Sequence, residues 1–101
     1  MSTLHTVNKS PFEKRSLESC LGYVKAGSSV LLYEDAVYGA IKGTAIAAKM
    51  SAAADVKFFV MGPDLKARGV SEDKLLDGIE VVDYAAFVKM AAENDRVQAW
   101  V

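Results

Sequence analysis

Apolar residues along this chain fall into two spacings that alternate. Short runs rich in Val, Leu and Phe have strand length, and apolar residues between them recur at three- and four-residue intervals, the mark of one helix face. Thr3-Leu4-His5-Thr6-Val7 reads as a first strand. Ser10-Pro11-Phe12-Glu13 then reads as a helix start: Ser10 can cap, Pro11 suits the first helical position, and Glu13 completes a capping box. Leu17, Cys20, Leu21 and Val24 share one face of that helix, and Gly27 is expected to end it.

The pattern then repeats. Ser29-Val30-Leu31-Leu32-Tyr33 is a second strand, followed by Glu34-Asp35, acids that suit a helix N-terminus, and an Ala- and Gly-rich helix from Ala36 to about Ala53. Lys57-Phe58-Phe59-Val60-Met61 is a third strand and Gly62-Pro63-Asp64 a turn. Leu65 to Arg68 predicts one helical turn stopped by Gly69, and Ser71-Glu72-Asp73 caps a second short helix that Gly78 ends. Ile79-Glu80-Val81-Val82 is a fourth strand. Asp83 caps a last helix in which Tyr84, Phe87, Val88 and Ala91 share a face, and Val97 to Val101 is a short fifth strand. The second and third strands are almost continuously apolar, as strands covered on both faces are. The pattern predicts one α/β domain over residues 1–101: a three-layer sandwich, with a mainly parallel sheet of about five strands flanked by helices. Strand order does not follow from it.

With 101 residues and 51% hydrophobic composition the chain can build a core without disulfides or metal. Net charge is −1, from 12 basic and 13 acidic residues, so no basic excess points to nucleic acid. Cys20 is the single cysteine, which excludes an intrachain disulfide and suits a reducing compartment. The opening residues lack a signal-peptide pattern, and the stretch from Gly39 to Val56 is interrupted by Lys42, Lys49 and Asp55, so neither export nor membrane insertion is expected and the cytoplasm is the default location.

Candidate chemistry is sparse. The carboxyl ends of the expected strands, where open parallel sheets bind ligands, carry Asn8-Lys9-Ser10, Glu34-Asp35, Gly62-Pro63-Asp64 and Asp83-Tyr84. A phosphoacceptor pocket would want its acid pair after the first strand and a lysine after the last. Here Lys9 follows the first strand and the pair follows the second, and helix capping by Asp35, Asp64 and Asp83 accounts for the acids. Gly39 and Gly43 lack the Lys-Ser/Thr of a phosphate-binding loop. Spaced four apart, they read as a helix face of close backbone approach, against the chain's own sheet or against another subunit. His5, inside a strand, reads as a satisfied core residue, and without a second histidine or a cysteine cluster no metal site is expected. Cys20 is the remaining candidate. No cation lies at three or four residues from it, so locally it reads as a structural thiol.

The segments Leu4 to Phe12, Gly62 to Gly69, Val82-Asp83-Tyr84 through Phe87-Val88, and Val97-Gln98-Ala99-Trp100-Val101 resemble the TusB/DsrH family over nearly the whole chain. The resemblance implies a DsrE-like fold and an accessory subunit of a cytoplasmic sulfur-relay hetero-oligomer. Its partners would be DsrE/TusD-like and DsrF/TusC-like subunits in a heterohexamer, serving sulfur carriers of TusA and DsrC/TusE type, with no cofactor of its own and no direct nucleic-acid contact. The family's main persulfide cysteine belongs to the DsrE/TusD subunit, and this sequence has no cysteine at that place. A cysteine in the first helix is a habit of the DsrH branch, so Cys20 makes a DsrH-type role in sulfur oxidation the first expectation and a TusB-type role in 2-thiolation of tRNA wobble uridine the alternative. Cys20 itself is the candidate sulfur carrier if this chain has one.

Overall fold

A computed structural model describes residues 2–101. Five strands form one sheet: β1 (Thr3–Val7), β2 (Ser29–Leu32), β3 (Lys57–Met61), β4 (Glu80–Val82) and β5 (Arg96–Trp100). Their spatial order is β4-β3-β2-β1-β5, and every neighbouring pair is parallel. Leu4 faces Ser29 on one side of β1 and Val97 on the other, so the chain's last strand lies against its first.

The order of the strands decides where the helices lie. From β1 to β4 the chain steps across the sheet in one direction. Right-handed crossovers therefore put α1 (Ser16–Tyr23), a 3₁₀ segment (Glu34–Ala40), α2 (Ala45–Ala52) and α3 (Gly62–Ala67) on the same face. The step from β4 back to β5 runs the other way and puts α4 (Tyr84–Glu93) on the opposite face. Side chains alternate accordingly. Val7, Val30, Leu32, Phe58 and Val60 pack with Leu17, Cys20, Met50 and Leu65, whereas Leu4, Leu31, Met61 and Val82 pack with Ala86, Phe87, Met90 and Ala91.

Several sequence expectations are corrected. Ser10 does start a helical turn: its Oγ accepts from Phe12 N–H at 3.2 Å and its carbonyl from Glu13 and Lys14. The backbone leaves helical angles at Arg15 (ψ 15), so α1 begins only at Ser16. It ends at Tyr23 rather than Gly27, because Val24 is already extended; Gly27, at φ +87, serves the following turn. The long helix expected from Ala36 to Ala53 is two elements. Ile41 bridges Leu75, Gly43 turns at φ +90, and Thr44 restarts the helix by accepting from Ala47 N–H at 3.1 Å.

The two glycines therefore share no helix face. A Cβ on Gly39 would lie 2.7 Å from Leu17 Cδ2 and 3.3 Å from Pro11 Cγ, so its close approach is to this chain's own side chains, whereas a Cβ on Gly43 would meet nothing. Gly62-Pro63-Asp64 is the first turn of α3, with Pro63 placed where its missing N–H costs nothing. The expected second short helix is a single 3₁₀ turn, Glu72–Lys74. On α4, Phe87 and Ala91 face the sheet as expected, but Tyr84 and Val88 face water, 57% and 68% exposed. Trp100 is more than half buried, docked against His5 and Tyr23.

Candidate functional site

The carboxyl ends of β2, β3 and β4 do gather charged side chains. Glu34 holds the left-handed angle φ +50, uncommon for a residue with a side chain, and its N–H donates to Asp64 Oδ2 at 2.7 Å. Tyr84 Oη lies 3.5 Å from Asp64 Oδ1. Arg68 donates through Nε to Asp35 Oδ1 at 2.9 Å and through Nη1 to the Asp64 carbonyl at 3.3 Å. The hydrogen bond to Asp35 raises the pKa of Arg68 further. Of the three acids expected to cap helices only Asp83 does so, accepting from Ala86 N–H at 2.8 Å. Asp64 and Asp35 instead bind the chain leaving β2 to α3, a pairing across about thirty residues that local spacing does not reveal; the Asp64–Arg68 spacing of one helix turn is the one signal the sequence offered.

This rim is built to hold its shape. Each of these three acids already has a donor, and no group of three His, Cys, Asp or Glu side chains able to hold a metal ion occurs among the described residues. Lys9 is exposed at the end of β1. Beside it Asn8 Oδ1 is enclosed without a hydrogen-bond partner.

Cys20 lies on the sheet-facing side of α1, fully buried among apolar side chains that include Leu17 and Met50. Burial pushes its thiol up to about 12. A thiolate there has neither a cation to stabilise it nor a path to another protein's sulfur. His5 is also buried. Its Nδ1 accepts from Trp100 Nε1–H at 3.1 Å, which places the imidazole proton on Nε2. Burial, and then the nearby Arg96 charge, lower its pKa and keep the ring neutral at physiological pH. Tyr23 meets His5 and Trp100 edge-on, closing an aromatic trio that pins β5 to β1 and α1.

A parallel five-stranded sheet between helical layers, with its single cysteine buried and no metal cluster among the described residues, defines a small α/β domain. The chain belongs to the DsrH-like family, whose model matches residues 9–97. It is similar to TusB proteins of Pectobacterium parmentieri (33% identical) and Erwinia tasmaniensis (34%), each over 96% of this chain and 99% of the relative. The TusB protein of Shigella flexneri is 29% identical over the same shares. Among solved structures the YchN protein of E. coli has the same fold, with a TM-score of 0.79 at 18% identity over 99% of this chain and all of that one. A protein of unknown function from Methanobacterium thermoautotrophicum matches at 0.76 and 16%, over 97% of each chain. The names of the relatives favour the TusB branch over the DsrH branch that Cys20 suggested.

Proposed function

We propose that this chain is a TusB-type accessory subunit of a sulfur-relay complex that serves 2-thiolation of tRNA wobble uridine. The observation that carries the reading is the thin second face of the sheet. α4 buries none of its side chains completely, and Tyr84 and Val88, one turn apart, present an apolar stripe to water. A helix with apolar groups on its outer side suits a chain that completes its packing against other subunits. TusC-like and TusD-like chains are the partners the family implies. The relay cysteine belongs to the TusD-like chain, Cys20 is a packing residue, and residues 1–101 act as one domain in the cytoplasm.

Two measurements test this. Co-expressed with TusC-like and TusD-like chains, the protein should elute as one species containing all three; a monomer that ignores both would overturn the reading. Deleting its gene should deplete 2-thiouridine from the tRNA of its host. Normal tRNA thiolation together with impaired oxidation of stored sulfur would return the protein to the DsrH-type role.

A further inference from the structure

At the amino end of the sheet, under the last turn of α1, lies a cavity of about 260 Å³ lined by Thr3, His5, Tyr23, Lys25, Ser28 and Arg96. Its chemistry is one-sided. The lining carries two cations, three hydroxyl groups and one imidazole, and no carboxylate. Among the described residues neither Lys25 nor Arg96 forms an ion pair, so no acid of the chain competes for either cation. Asp95, the acid next to Arg96 in the chain, already accepts the N–H of Ser2 at 2.8 Å.

His5 gives the cavity a direction. It is only 2% exposed, yet just one of its ring nitrogens is used. Because Nδ1 accepts from Trp100, Nε2 carries a proton, and that donor has no protein acceptor among the described residues. Nε2 is also absent from the polar atoms sealed without a partner, which among the described residues are limited to Asn8 Oδ1, so it opens on the cavity. A buried, fixed donor with two unpaired cations at the rim is the arrangement that receives negatively charged oxygen. The carboxyl end of α1 opposes an anion here, but that helix is eight residues long and Lys25 lies two residues past its end.

We propose that this cavity binds a small oxyanion. His5 Nε2–H donates from the floor, the Thr3, Ser28 and Tyr23 hydroxyls adjust around the anion, and Lys25 and Arg96 neutralise it at the mouth. The volume is several times that of a water molecule, so the anion can enter with part of its hydration shell or on a short organic arm. The site lies at the opposite end of the strands from the Asp64 rim, and it stands whether or not the chain assembles with sulfur-relay partners.

Inorganic phosphate and sulfate are the probes. In titrations of the full ¹⁵N-labelled chain, the His5 Nε2 resonance and the Thr3 and Arg96 amides should shift and saturate. Lys25→Gln and Arg96→Gln, both exposed positions, should keep the rest of the spectrum and each weaken binding about tenfold, the loss of one charge-assisted hydrogen bond. Three outcomes would each overturn the site: no saturable shift, the same shifts from chloride at equal ionic strength, or unchanged affinity in both variants.

Discussion

The two faces of the sheet are made from the same strands, yet they are finished to different degrees. On one, the residues of β1, β2 and β3 meet Leu17, Cys20, Met50 and Leu65 from three helices, all buried. On the other, α4 alone covers Leu4, Leu31, Met61 and Val82, and its own side chains stay partly wet. Composition does not produce this difference, since the strands alternate between both faces. Connectivity does: three crossovers step one way across the sheet and a single one steps back. Stability is therefore concentrated on the α1–α3 face, and the α4 face is the one the proposed association would cover.

The sharpest test uses one residue type on each face. Met50→Ala, in the α2 layer, should cost about 2–5 kcal/mol, because a buried side chain leaves a cavity. Met90→Ala, on partly wet α4, should cost less than half as much, since water already reaches the site. Urea denaturation of the two variants gives the comparison directly. Equal losses would mean that both faces share the stabilising core.

Next in size is Gly39, where the well-packed face has no space left. Gly39→Ala should cost about 1–3 kcal/mol through its clash with Leu17. Adding Leu17→Ala should recover part of that loss, so the pair is strongly non-additive. Gly43→Ala should also destabilise, by about 1–2 kcal/mol, because φ +90 strains a residue with a Cβ, but Leu17→Ala should leave that cost untouched. If both glycines coupled to Leu17, the assignment of Gly43 to open space would fail.

How much of this the sequence disclosed depended on the range of the interaction. All five strands and the Asp83 cap were legible, because period, run length and capping chemistry are local. The break at Ile41–Thr44 was not, since it depends on a bridge to Leu75, more than thirty residues away. Strand order escaped for the same reason: the pairing of β5 with β1 joins the two ends of the chain. At the rim, Asp64 looked like a cap, and only the fold shows it receiving the N–H of Glu34. His5 was rightly read as a core residue, but its bond from Trp100 spans 95 positions, and with it the open Nε2 donor was invisible.

Cys20 converts the dryness of the inner face into a pH dependence. Its thiol ionises at 9.0 when solvated and at about 12 in the fold. Above pH 9 the unfolded chain loses this proton while the folded chain keeps it. Stability therefore falls as pH rises, by up to about 1.4 kcal/mol per unit, until the folded thiol also ionises. Thermal melts of the parent and Cys20→Ala from neutral pH upward isolate this contribution, since every other side chain is common to both. Parallel curves for the two proteins would show that Cys20 is solvated, and would reopen its candidacy as a sulfur carrier.

The smallest effect on folding is expected where the effect on assembly is largest. Val88 is 68% exposed on α4, so Val88→Ser removes little that the isolated fold uses, and its stability should stay within about 0.5 kcal/mol of the parent. In an assembly that covers this stripe, the same change strips apolar area from the interface and leaves a hydroxyl to be desolvated. Serine is preferable to a charged residue, because a charge would repel a partner across any surface and so report little about packing. Light scattering of the co-expressed subunits should show Val88→Ser dissociating at concentrations where the parent remains whole, with Tyr84→Ser behaving alike. A control at Glu80, exposed on edge strand β4 rather than on α4 itself, should leave assembly intact when changed to Gln. Disruption by the Glu80 variant, with none by Val88→Ser, would move the association surface to the β4 edge and leave the uneven finish of the two faces without a functional consequence.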